Sequence, residues 1–214
     1  MSYPDFSRAE RIADGTIHVA GVGIAVCAVT ALFLLTGAHL SGGTLTAAII
    51  YAGGLLCMLG ASAAYHLAAY TAARPYLRRL DHAAIYMKIA GTLTPLAVLL
   101  GTAYGYGVLA LVWVLAVTGM WAKLRAKRGR MSTGWLPYVA LGWVAVALIV
   151  PLMEVLPPVS FWSLVIGGLL YTAGVVFYVW ENLRFSMAIW HGFILLASGC
   201  VFTGIASALG AAPH

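Results

Sequence analysis

Charged side chains are what this sequence has least of: Asp, Glu, Lys and Arg make up 8% of its 214 residues, whereas 63% are apolar and the mean hydropathy is +0.96. One water-soluble core cannot enclose that much apolar surface, which excludes an ordinary soluble domain. Alternation is missing too. Runs such as IAVCAVTALFLL and VWVLAVTG do not switch between apolar and polar residues, so the strand pattern of a transmembrane β-barrel is absent. No Pro/Ser/Gly tract, charge block or long loop sets off a second part, which leaves one membrane domain over 1–214 with 1–15 as a short N-terminal segment. SYPDFSRAERIADG lacks the apolar core of a cleavable signal, so the first helix is expected to be retained as the insertion signal. Cys27, Cys57 and Cys200 all fall inside apolar windows, where burial as small apolar side chains is expected in place of a disulfide framework.

What is present is apolar length. Windows of roughly 20 residues, enough to cross ~30 Å of hydrocarbon as a helix, occur at Thr16 to Gly37, Thr44 to Ala68, His82 to Leu100, Ala103 to Trp121, Trp135 to Val155, Phe161 to Trp180 and Ile189 to Leu209. The expected fold is therefore all-α, a bundle of seven transmembrane helices, and the 24 glycines suit close helix packing in lipid.

The basic residues orient the bundle. Arg8 and Arg11 precede helix one, Arg74, Arg78 and Arg79 lie between two and three, Lys123, Arg125, Lys127, Arg128 and Arg130 lie between four and five, and Arg184 lies between six and seven. The opposite loops hold none, and Lys88 alone falls within a span. Cytoplasmic loops carry such an excess, so the N-terminus is expected in the cytoplasm and the C-terminus outside. The net charge of +6 follows from this bias. It suits anionic lipid headgroups and calls for no nucleic-acid partner.

Polar residues inside so apolar a chain need a structural or chemical reason to be there. His18, His66, Asp81, His82 and His191 gather at the cytoplasmic ends of their helices, while His39 and His214 lie outside. Ser62 and His66 stand four residues apart, on one face of helix two. Asp81, Lys88 and Thr92 share a stripe on helix three that should face the interior, and His82 is rotated away from it. Two imidazoles and a carboxylate, His66, His191 and Asp81, converge on one depth and make a candidate zinc pocket. His18 and His82 read as structural residues at helix ends, and Lys88 as a side chain that snorkels or pairs with Asp81. Glu154 and Glu181 read as solvated.

Four stretches carry a family resemblance: RAERIADGTIHVAG, SAAYH, LDHAAIYMKIAGTLTP and GGLLYTAGVVFYVWENLRFSMAIWH. In this order, across nearly the whole chain, they make it resemble the hemolysin III family, the bacterial branch of the progestin and adipoQ receptor superfamily. The resemblance implies a multi-pass protein of the bacterial plasma membrane with its N-terminus inside. It also implies a zinc ion held by the His of an S-x-x-x-H motif on helix two and both His of an H-x-x-x-H motif on helix seven, beside a Ser and a helix-three Asp that acts on water at the metal. Ser62 and His66 match the first motif, Asp81 the carboxylate and His191 the second His of the other motif. The first His is replaced by Met187, whose thioether suits copper(I) better than zinc, and Cys200 is followed by Val201 where many relatives carry a His soon after the cysteine. That leaves Asp81 as the expected third metal ligand, or a site that binds metal weakly, or a site that has lost its metal.

Three functions remain open on these residues. One is a metal-dependent hydrolase of a membrane lipid amide or ester, with Asp81 and Ser62 catalytic. Another is a non-enzymatic, receptor-like or membrane-homeostasis protein in which the polar cluster locks helices together. The third is a cytolysin, for which the sparse polar residues offer little aqueous lining.

Overall fold

The computed structural model describes residues 6–68, 70–127, 131, 134–180 and 182–211. Arg128, Arg130, Glu181 and His214, named above from the sequence, lie outside these residues. The described residues contain helices and no strand, and seven helical stretches are long and apolar enough to cross a membrane. In hydrocarbon a helix satisfies its backbone N–H and C=O groups internally, which is why each apolar window takes this form.

Helix α1 (Arg8–Thr36) begins earlier than the apolar window implies. Ser7 and Glu10 form a capping box: the Ser7 hydroxyl accepts from the Glu10 amide at 3.3 Å, and Glu10 Oε2 accepts from the Ser7 amide at 2.9 Å. These reciprocal bonds start the helix in polar sequence. Residues from Arg8 onward therefore belong to the first helix, and the separate segment expected over 1–15 shortens accordingly. Helix α2 (Gly42–Leu67) opens on Ser41 and α3 (Arg74–Leu100) on Pro75. Helix α4 (Ala103–Arg125) opens on Thr102, whose hydroxyl accepts from the Gly105 amide at 3.1 Å.

The fifth span is broken into α5 (Leu136–Trp143), a 3-10 segment at Val144–Leu148 and α6 (Ile149–Val155). Pro151 has no N–H to offer the carbonyl of Ala147 and crowds it. The Tyr104 hydroxyl donates to that carbonyl at 2.9 Å instead. Helices α7 (Pro158–Val179) and α8 (Ser186–Gly210) complete the bundle.

Helix α1 packs on α2 and on α8, so the first and last spans are neighbours. Helix α3 is the most enclosed span. It meets α2 at two glycines: a Cβ on Gly54 would lie 3.1 Å from the Met87 carbonyl oxygen, and one on Gly91 3.1 Å from that of Ile50. Small residues let the two backbones touch. Outward surfaces are apolar, with Leu34 and Leu35 80% and 76% exposed. A water-soluble protein does not present such a face, whereas lipid covers it at no cost.

Candidate metal centre

Three spans bring polar side chains together at the bundle end that carries the start of α1. Helix α1 contributes Asp14 and His18, one turn apart on the same face. His66 stands in the last turn of α2, and His191 lies in the second turn of α8. Glu10 fixes α1 against α8, because its Oε1 accepts from the Phe185 amide at 3.0 Å. Phe185 adopts the left-handed conformation (φ 62°) just before α8 begins, a cost that a bulky residue accepts only where its surroundings hold it.

The three imidazoles surround one carboxylate. His191 Nδ1 donates to Asp14 Oδ1 at 2.6 Å, His66 Nδ1 lies 3.0 Å from Oδ2, and His18 Nε2 lies 3.7 Å from Oδ2. The rings touch as well, with His18 4.3 Å from His191 between centroids and His66 4.5 Å from His191. Asp14, His18 and His191 are buried. His66 Nδ1 is close to the carboxylate but off the angle of a hydrogen bond, so it and His18 Nε2 are buried nitrogens without a hydrogen-bond partner. A buried polar atom left so costs on the order of 1–3 kcal/mol.

One potential ligand atom from each of these four residues lies within 4.8 Å of the others. A tetrahedral zinc with ligands at ~2.0–2.1 Å needs them about 3.3 Å apart, so the four side chains would have to close in around it. Three imidazoles and a carboxylate are also donor types that zinc accepts. The four residues therefore fit such a metal, and the two unpartnered nitrogens are what a metal would satisfy.

A small cavity lies against this group. Ser62 lines it together with His18 and His191, and the rest of its wall, including Gly21, Met58, Ile194 and Leu195, is apolar. A second hollow is lined by Glu10, Arg11, Asp14, Phe185 and Met187. Met187 and Asp14 thus share a wall at the place where the resemblance implies a histidine.

The structure brings His66, His191 and Ser62 to one centre. Asp81 is buried on the inward stripe of α3 with Lys88 and Thr92. It stands outside the four-residue group, within electrostatic reach of His191, His82 and Tyr138. His18, read from the sequence as structural, belongs to the group. His82 fits its structural reading, since its Nδ1 pairs with the Tyr138 hydroxyl at 3.0 Å. Lys88 does not pair with Asp81: its Nζ donates to the Tyr171 hydroxyl at 2.6 Å. Asp14 is the residue that sequence reasoning missed. Its signal was the four-residue spacing to His18 in DGTIH, hidden because Asp14 lies before the apolar window.

A family model described as "Haemolysin-III related" matches residues 6–202. The chain belongs to the hemolysin III family. It is 33% identical over 194 residues to "Hemolysin-3" of Bacillus cereus, covering 90% of this chain and 89% of that protein. It is 32% identical over 199 residues to the "Hemolysin-3 homolog" of Bacillus subtilis (strain 168), covering 92% and 93%. With its seven apolar helices, this hemolysin III family chain is a multi-pass integral membrane protein, consistent with a bacterial plasma membrane.

Proposed function

We propose that Asp14, His18, His66 and His191 hold a zinc ion and that the protein hydrolyses an amide or ester bond of a membrane lipid. The observation that carries this reading is the convergence of three imidazoles on the Asp14 carboxylate, with one potential ligand atom of each residue within 4.8 Å of the others. Zinc supplies Lewis acidity and makes water a nucleophile near neutral pH. The remaining work falls to this chain. His191 is oriented by its bond to Asp14. Ser62, on the cavity wall, presents a hydroxyl that can donate to an oxygen gaining negative charge. Asp81, buried on the adjacent helix, is the carboxylate that accepts a proton. The small cavity bounded by the apolar Gly21, Met58, Ile194 and Leu195 has room for a water molecule beside His18 and His191. In this reading the basic loops lie in the cytoplasm, so this end of the bundle faces that side.

The test is direct. Purified protein is assayed for zinc per chain and for release of fatty acid from lipid amides and esters, before and after chelation and with zinc restored. About one zinc per chain with chelator-sensitive hydrolysis is expected. Absence of both metal and turnover overturns the reading.

The 2.6 Å bond between His191 and Asp14 favours a second reading, in which the group is a metal-free lock joining α1, α2 and α8. Chelation then leaves thermal stability unchanged. Cytolysis, which the names of the relatives suggest, ranks behind both, because the described residues bury few polar side chains that could line an aqueous passage.

A further inference from the structure

Lys88 is buried at mid-length of α3 (Arg74–Leu100), and no carboxylate of the described residues lies within ion-pair distance of it. Asp81, on the same stripe, is seven residues away, about 10 Å along the helix. The Lys88 Nζ donates to the Tyr171 hydroxyl at 2.6 Å and sits 4.0 Å from the centroid of that ring. The Tyr171 hydroxyl in turn pairs with Ser198 Oγ at 2.6 Å. These bonds engage one of the three N–H donors of an ammonium and bring no negative charge. A charge inside the bilayer is costly unless an opposite one meets it.

A second polar group of the same neighbourhood lacks a partner altogether. Tyr51 is 1% exposed and its hydroxyl makes no hydrogen bond. The contact of α2 with α3 places it: a Cβ on Gly54 would lie 3.4 Å from the Lys88 Cα, and one on Gly91 would lie 3.6 Å from the Tyr51 Cα. Tyr51 and Lys88 thus belong to one helix contact. The Tyr51 ring lies 6.4 Å from that of Phe202, one turn beyond Ser198 on α8, and its hydroxyl is within electrostatic reach of Tyr171. A cation without a counter-ion and a hydroxyl donor without an acceptor therefore share the middle of the bundle. Ser198 is seven residues beyond His191, so this locus lies about 10 Å from the metal centre along α8.

We propose that Lys88 and Tyr51, braced by Tyr171 and Ser198, form an anion-binding site at the centre of the bundle whose ligand is the carboxylate of an acyl chain. A carboxylate accepts from both Lys88 and Tyr51 and supplies the missing charge. Lys88 and Tyr51 are buried within the apolar core of the bundle, a place that a carboxylate attached to an apolar chain enters at less cost than a bare ion. Chloride is the other compact monoanion with the same chemistry.

The experiment measures thermal unfolding of the purified protein in a neutral detergent with gluconate as the bulk anion, adding laurate, dodecanol or chloride. Laurate is expected to raise Tm by roughly 2–4 °C at saturation over the shift from dodecanol, which carries the same chain without the charge. The excess disappears in Lys88→Met and shrinks in Tyr51→Phe. A Lys88-dependent rise with chloride alone assigns the site to the inorganic anion. Equal shifts from laurate and dodecanol with none from chloride overturn the proposal. So does a laurate excess that survives Lys88→Met, which then belongs to the metal centre. Should Lys88→Met fail to fold, Tyr51→Phe decides: an undiminished laurate excess rejects the site.

Discussion

The imidazoles of His18 and His66 stack at 4.8 Å between centroids, 26° from parallel, and each keeps a buried nitrogen that no hydrogen bond satisfies. Stacked in this way, the two rings can turn ring nitrogens toward a common third body. That geometry ties α1 to α2 through potential ligands, and several outcomes follow from it.

Replacing any one of Asp14, His18, His66 or His191 by Ala should lower zinc affinity by roughly 10–100-fold or more, read as metal per chain after dialysis against a weak chelator. Full retention of zinc by both His18→Ala and Asp14→Ala would return the ligand role to α2, α3 and α8.

Asp81→Asn keeps the side-chain shape and removes the proton acceptor. Hydrolysis of a lipid amide should fall by roughly 10²–10⁴-fold, with zinc content unchanged, since Asp81 stands apart from the four-residue group. Loss of zinc in this variant would make Asp81 a ligand. Because Lys88 is bonded to Tyr171, Asp81→Asn should also leave Tm within a few degrees of the parent.

Gly54→Val should destabilise the bundle by roughly 1–3 kcal/mol. The atom in its way is the Met87 carbonyl oxygen at 3.1 Å, part of a backbone that cannot swing aside as a side chain does. Gly53→Ala, where a Cβ meets nothing within 4 Å, is the control and should be neutral. Thermal unfolding in detergent compares the two.

A cysteine introduced at Lys127 should react with a membrane-impermeant thiol reagent only after cells are opened, because the basic loops are expected on the cytoplasmic side. Labelling in intact cells reverses the orientation.

The seven spans were legible because a helix long enough to cross lipid must be apolar along most of its length, and few other structures impose that. Where reading went astray, polarity was the reason. RAERIAD looks like a segment outside the membrane, yet the Ser7–Glu10 capping box starts α1 there and turns Asp14 inward. His66 and His191 were recognisable from motif and depth, whereas His18 depended on knowing which way α1 faces. The break in the fifth span was written in Pro151, but the residue that accommodates it, Tyr104, belongs to another helix, and its contact with the Ala147 carbonyl cannot be read from local sequence. The partner of Lys88 was hidden for the same reason: Tyr171 is 83 residues away.

The packing of α1 against α8 also has a meaning in time. A ribosome delivers helices in chain order, so Asp14 and His18 enter the bilayer long before His191 exists. Until the last span is synthesised, this carboxylate must stay hydrated at the membrane edge or lean on provisional partners. The centre is thus assembled at the final step of biosynthesis, and a chain truncated before α8 carries only an incomplete donor set however well its other helices insert.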